Sequence, residues 1–395
     1  MRVQTTTTLF PFGEPDRLEV DESYRTVMAG AGLVRVRMRY GEPAWLVSRY
    51  ADVKLVLGDR RFSRSMAVGR DAPRTFPMLP EVNLLTMDPP EHSRLRTLLA
   101  KAFTQRRVEQ LRPRIRELAA SLADELLAHG APVDLVEYFA VPLPVAVICE
   151  LLGVPVADRA RFRGWTDTMM STTDRPLEEI QANQGAMYAY LAELIEAHRA
   201  SPVDDLMSAL IEATDERGRL TPEELLQLCT VLLVAGHETT ATQIPNFVYV
   251  LLEHPDAWAQ VLADPWLIPT AVEELLRFVP LVEGAIQPHY ATEDVEVGGT
   301  LVRAGEPVLI ALAAANRDPR RFTDPDELRF DRPENQHVGF GHGAHHCLGA
   351  QLARVELQEA LRALASRLPG LRLAGEPGWK SEMFVRGIRR LPVAW

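Results

Sequence analysis

The stretch LTPEELLQLCTVLLVAGHETTATQIPNFVYVLLEHP, Leu220 to Pro255, limits the fold more than any other part of this chain. Thr221 stands at an N-cap position, Pro222 at the first helical position, where a missing N–H costs nothing, and Glu224 completes a capping box. The helix so opened should run to about Glu253. Its middle is apolar on every face, so other elements must wrap it on all sides. A chain of 395 residues, 47% of them hydrophobic, can bury a core that large. Pro245, one turn past Thr240, removes a helix hydrogen bond and should kink the element near its centre. Glu238, beside Thr239 and just after Ala235-Gly236, is an acid in an apolar setting, costly unless it is paired or used. A satisfied structural Glu and a functional one are both open readings.

Apolar residues also recur at helical spacing through Val108–His129, Val141–Leu152, Gln181–His198 and Thr270–Phe278. Strand signals are fewer. Leu33–Tyr40 and Pro43–Ser48, joined at Gly41-Glu42, form a hairpin pattern, and Gly298-Gly299 and Gly305 punctuate short strands in Val295–Leu312. The expected architecture is mainly α with a small β region, a single mixed α+β domain over residues 1–395. Its β-rich portion covers about 33–60 and 295–312, and its helical portion about 88–280 and 347–368. Irregular stretches at Phe62–Met87 and Asp318–Phe340 exceed ordinary connections, and loops of that length tend to be functional.

Forty-three basic against 54 acidic residues give a formal charge of −11, which opposes general attraction to nucleic acid or anionic membrane. The sign reverses between Arg94 and Arg116, where eight basic residues (Arg94, Arg96, Lys101, Arg106, Arg107, Arg112, Arg114, Arg116) face only Glu109. Cys149, Cys229 and Cys347 are too few for a disulfide framework and lack CxxC spacing, so a reducing cytoplasm is expected. No apolar segment suits a membrane span or a cleaved leader, so a soluble, unprocessed protein is expected.

FGHGAHHCLGAQLAR, Phe340 to Arg354, offers His342, His345, His346 and Cys347 as candidate metal ligands. Zinc needs about four ligands in tetrahedral array, and these four cannot easily converge on one ion. The start of HETTA, His237 to Ala241, is similar to a zinc-protease helix, but Ala241 occupies the place of the second His. A lone thiolate at a helix start is favoured differently, since the helix dipole stabilises negative sulfur. Gly341, Gly343 and Gly349 would let backbone approach a flat partner, which favours haem iron. His92 and Arg96, at i, i+4 in MDPPEHSRLRTLL, repel each other unless an anion lies by them. Glu274 and Arg277, at i, i+3, read by default as a surface ion pair.

Together these residues resemble the cytochrome P450 family of haem-thiolate monooxygenases. FGHGAHHCLG is similar to its Phe-x-x-Gly-x-His-x-Cys-x-Gly loop, AGHETT to its oxygen-activating helix, and Glu274-x-x-Arg277 to its Glu-x-x-Arg. The resemblance covers nearly the whole chain and implies haem b, with Cys347 as the axial thiolate, Phe340 near the sulfur and Gly349 close to the porphyrin. It gives His92, Arg96 and His345 to haem propionates, and Arg332 to a buried triad with Glu274 and Arg277. Cys149 and Cys229 are expected in the core. PHYATED departs from the family pattern, with His289 where an Arg commonly reaches a propionate, so pH sensitivity around neutrality is expected there.

The same resemblance implies that Glu238 and Thr239 relay protons and that Gly236 leaves room for O2. Val231 and Ala235, at helical spacing from Thr239, should line the substrate cavity, with Phe76 to Leu85, Met169 and Met170, Gly284, Ala285 and Ile286, and Phe384 with Val385 as further candidates. Glu283 is expected to be solvated more readily than to meet substrate. The expected reaction is hydroxylation of a bulky apolar or amphipathic secondary metabolite, polyketide- or macrolide-like. Epoxidation or oxidative phenol coupling at the same site, and a non-catalytic haem sensor, are the alternatives. Electrons should come from a separate ferredoxin and ferredoxin reductase, docking at the Arg94–Arg116 run.

Overall fold

Thr221 and Glu224 exchange hydrogen bonds, Thr221 N to Glu224 Oε2 at 2.9 Å and Glu224 N to Thr221 Oγ1 at 3.2 Å. The capped helix runs unbroken through Pro245 to Glu253, and nearly all of it from Leu225 to Leu251 is at least partly buried. The structure is a computed structural model describing residues 8–12, 17–30, 32–158, 161, 164–165, 168–169, 176–203, 205–215, 220–282, 287–381, 383 and 385–395. Its helices are α1 (Ser23–Ala29), α2 (Tyr50–Gly58), α3 (Glu91–Ala100), α4 (Gln105–His129), α5 (Pro142–Leu151), α6 (Leu177–Ala200), α7 (Leu206–Asp215), α8 (Pro222–Glu253), α9 (Pro255–Ala263), α10 (Ile268–Phe278), α11 (Leu312–Ala315) and α12 (Ala350–Arg367).

The chain divides into two compact units, one of residues 1–93 and 270–348, the other of residues 94–269 and 349–395. The first holds a six-stranded mixed sheet in the order Thr8–Leu9, Leu33–Arg37, Ala44–Val47, Pro307–Ile310, His289–Ala291, Phe62–Ser63. Leu33 pairs with Val47 across the expected hairpin, Trp45 lies parallel to Val308, and Ser63 opposes Tyr290. Alternate side chains enter different cores: Val47 and Ile310 pack with Val53, Val56 and Phe322, while Leu46 and Leu309 pack with Phe10, Tyr24 and Met28. Covered on both faces, the sheet is a rigid base for the loops beside it.

In the second unit α8 packs against α5, α6 and α7, and α12 lies along α4. Cys149 and Cys229 are buried here, and burial pushes the Cys229 thiol up to about 12. Short strands close the chain: Arg372–Leu373, Pro392–Ala394 and Val133–Asp134 form one sheet, and Gly378–Trp379 pairs with Ile388–Arg390. These extend the β structure beyond the two regions expected from sequence. With two or three residues each, they are too short to show a period.

Candidate active site

The Cys347 loop is bent by its glycines and closed by its own backbone. Gly341 and Gly343 have φ of 74° and 70°, and Cys347 N donates to Phe340 O at 2.8 Å. A Cβ on Gly343 would lie 2.2 Å from the Leu57 carbonyl oxygen, so glycine there lets the loop sit on α2. The Cys347 thiol is exposed. Gly349 is the N-cap of α12, and a Cβ there would meet nothing within 4 Å. Phe340 rests near His337 and His346. Among the described residues, no group of three or more His, Cys, Asp or Glu side chains is placed to hold a metal ion.

His92 on α3 is 1% exposed, and its ring centroid lies 4.1 Å from that of His345. Arg96 lies one turn further along α3 and is partly buried. Strand pairing brings the chain after Ser63 alongside His289, where Arg64 Nε donates to His289 Nε2 at 3.0 Å and Arg64 Nη1 donates to the Leu85 carbonyl at 3.2 Å. Burial, then the nearby charges of Arg64 and His345, hold the His289 imidazole well below its ordinary pKa. In this structure the ring is therefore held in its neutral form near pH 7. Arg64 carried no motif and could not be singled out from sequence.

Glu274 and Arg277 are not a surface pair: both side chains are fully buried, joined by bonds of 2.7 and 2.8 Å. Arg332 Nε donates to both Glu274 oxygens at 3.2 Å, and the Asn335 amide and Arg329 N–H add further bonds. Arg277 also donates to the carbonyls of Asn316, Pro325 and Glu327. Such a cluster tolerates burial because nearly every polar group in it is satisfied.

On α8, Thr239 Oγ1 donates to the Ala235 carbonyl at 3.0 Å. Val231, Ala235 and Thr239 form a stripe that protein leaves partly or wholly uncovered. Glu238 is 6% exposed, and its Oε1 accepts from Lys380 Nζ at 2.5 Å and Thr242 Oγ1 at 3.4 Å, while Lys380 also donates to Thr242 at 2.7 Å. Lys380 was missed because it lies 142 residues away in sequence. At Gly236 a Cβ would lie 2.7 Å from Ile148 Cδ1, so the lack of a side chain lets α5 approach the helix here.

The basic run is not one free patch. Arg94 pairs with Glu224, Arg114 with Glu150, and Arg112 and Arg116 with the buried Glu359. Lys101, Arg106 and Arg107 are exposed and form no side-chain ion pair among the described residues. Phe76 and Met169 are partly buried, Leu79, Val82 and Leu85 are exposed, and Val385 is fully buried. Met170, Glu283, Gly284, Ala285, Ile286 and Phe384 lie outside the described residues.

A loop presenting one exposed thiol, with a buried Glu-Arg-Arg cluster in the same unit, is the arrangement of a haem-thiolate enzyme. The chain belongs to the cytochrome P450 family, whose model matches residues 160–264 and 266–368, and is a P450 monooxygenase with a haem-thiolate cofactor. It is 53% identical to mycinamicin IV hydroxylase/epoxidase of Micromonospora griseorubida, over 98% of each chain. It is 52% identical to nocardicin C N-oxygenase of Nocardia uniformis subsp. tsuyamanensis, over 99% of this chain and all of that one. A crystal structure of HinD with NMFT and NO superposes with a TM-score of 0.95 at 47% identity, covering 99% of this chain and 100% of that one. Among the described residues no helix is long and apolar enough to cross a membrane.

The residues present fit such a cofactor. Besides the exposed thiol, buried His289 Nδ1 has no hydrogen bond of good geometry among the described residues, although the Gln287 backbone lies near it. A histidine whose Nε2 accepts from Arg64 carries its proton on Nδ1, a donor suited to an anionic group.

Proposed function

We infer that the whole chain acts as one catalytic domain, with haem b held by the Cys347 thiolate and its propionates met by His92, Arg96, His289 and His345. The group supplies O2 activation, using two electrons and the electron donation of the thiolate. Phe340 would shield the sulfur, and Gly349, without a side chain at the start of α12, would let the porphyrin approach.

Glu238 and Thr239 handle the protons. Thr239 gives its hydroxyl hydrogen to Ala235 O, so its oxygen keeps lone pairs for a water. Glu238 Oε1 is occupied by Lys380 and Thr242, while Oε2 takes no hydrogen bond among the described residues and can receive a proton. Lys380, held by Glu238 Oε1 and Thr242 Oγ1 together, thus orients the acid.

The substrate is a bulky apolar or amphipathic secondary metabolite of macrolide-like size, oxidised by hydroxylation. Support comes from the uncovered Val231-Ala235 stripe, the exposed Leu79, Val82 and Leu85, and the named activity of the Micromonospora relative. That relative's hydroxylase/epoxidase name supports epoxidation as a second reading. A ferredoxin with its reductase supplies electrons in the cytoplasm. The observation that carries the reading is the exposed Cys347 thiol in its glycine-bent loop. Reduced, CO-treated protein should show the thiolate-type Soret shift, and Cys347→Ser should abolish it; a parent protein without that shift would sink the assignment.

A further inference from the structure

Arg64 is a partly buried guanidinium with no ion pair among the described residues. Asp88, the carboxylate near it, accepts instead from the Arg64 backbone N–H at 2.9 Å and from the hydroxyls of Ser63 and Ser65. Burial therefore brings the Arg64 pKa down to about 10, an effect Asp88 offsets only in part. A partly buried cation that, among the described residues, donates only to one imidazole nitrogen and one carbonyl lacks the anion that such a charge requires. His289, its immediate partner, is buried and neutral, with Nδ1 left to donate.

We propose that Arg64 and His289 form a two-residue subsite that receives one haem propionate, Arg64 supplying the charge and fixing the tautomer in which His289 Nδ1–H donates. This rests on the haem-thiolate reading and adds Arg64 to the residues that retain the cofactor. The division of labour follows from the geometry: with Nε2 taken by the guanidinium, the imidazole presents a neutral donor, while Nη2 makes no hydrogen bond among the described residues and can reach a carboxylate. Arg64 is then a binding residue, and its contact with His289 positions the ring.

The test is haem transfer from the holoenzyme to excess apomyoglobin at pH 7, followed in the Soret band, with circular dichroism to verify folding. Arg64→Gln should accelerate release by about tenfold, the factor that corresponds to ~1.4 kcal/mol of lost binding. Adding His289→Arg to that variant should return release to within about twofold of the parent, because a guanidinium from position 289 replaces the missing charge. The reduction potential of Arg64→Gln should also fall, since a cation near the haem is gone. Unchanged release in folded Arg64→Gln, or no rescue by the double substitution, overturns the proposal. If Arg64→Gln fails to fold, His289→Gln decides: it should release haem faster with the thiolate-type CO spectrum retained, and parental release overturns the subsite. Loss of that spectrum in the parent protein would instead overturn the haem-thiolate reading.

Discussion

The Nε2 lone pair of His289 is occupied by a guanidinium hydrogen, and burial first, then the charge of Arg64, sets the pH behaviour of the ring. Its folded pKa lies below the ordinary 6.5, so above pH 6.5 both folded and unfolded chains are neutral here and nothing is gained or lost. Below 6.5 the unfolded chain binds a proton that the folded one refuses, and stability falls until the lower folded pKa is passed. His289→Gln, which cannot titrate, should therefore lose Tm less steeply than the parent as pH falls from about 6.5 to about 5. Equal slopes would show that the ring accepts protons freely in the fold. At Glu238 the relevant quantity is pairing. The Glu238 and Lys380 side chains are only 8% and 13% exposed, so removing either partner strands a charge. Lys380→Met and Glu238→Gln should each destabilise the holoenzyme, and the double variant should recover about 1–3 kcal/mol of the summed loss. Additive shifts in thermal unfolding would mean that the two groups are not coupled.

Among the elements, α8 was the most legible in sequence, because its capping box and continuous apolar middle are local signals summed over many residues. The Cys347 loop was legible from its local glycines, whereas the Glu274–Arg277 spacing alone read as a surface pair, because its burial depends on Asn316, Pro325, Glu327 and Arg332, distant in sequence. Short strands, the Glu238–Lys380 pair and the Arg64–His289 contact were not legible, since each is specified only when distant chain segments meet. Gly236 shows what local reading leaves out: its smallness also serves the contact with Ile148, on a different helix. In Gly236→Ala the helix gains roughly 1 kcal/mol of propensity but overpacks Ile148 Cδ1 at a cost of about 1–3 kcal/mol, so a net loss of up to about 2 kcal/mol is expected. In an Ile148→Val background, where Cδ1 is absent, the same substitution should become neutral or stabilising. Thermal unfolding of the four proteins checks this, and an equal effect in both backgrounds would exclude the Ile148 contact as the reason for glycine.

For the whole molecule, a net charge of −11 makes encounters with an acidic redox protein unfavourable unless local cations oppose it. Arg112 and Arg116 cannot serve freely, because Glu359 is 1% exposed and depends on them. Burial pushes the Glu359 carboxyl up, but hydrogen bonds from Arg116 and Arg112 outweigh it and hold the carboxyl below its usual range. Their first effect is internal, on the packing of α12 along α4. Lys101, Arg106 and Arg107 are exposed and have no such commitment among the described residues. Steering acts on association rate and is screened by salt, whereas a buried pair contributes to folding and is screened little. Charge reversal at Lys101, Arg106 and Arg107 should therefore slow reduction by an acidic ferredoxin about tenfold at low salt and flatten its salt dependence, leaving Tm nearly unchanged. Arg112→Glu should do the opposite first, lowering Tm by leaving Glu359 beside a like charge. Stopped-flow reduction across a salt series, with thermal unfolding of the same proteins, separates the roles; an unaltered rate in the triple variant would place docking elsewhere.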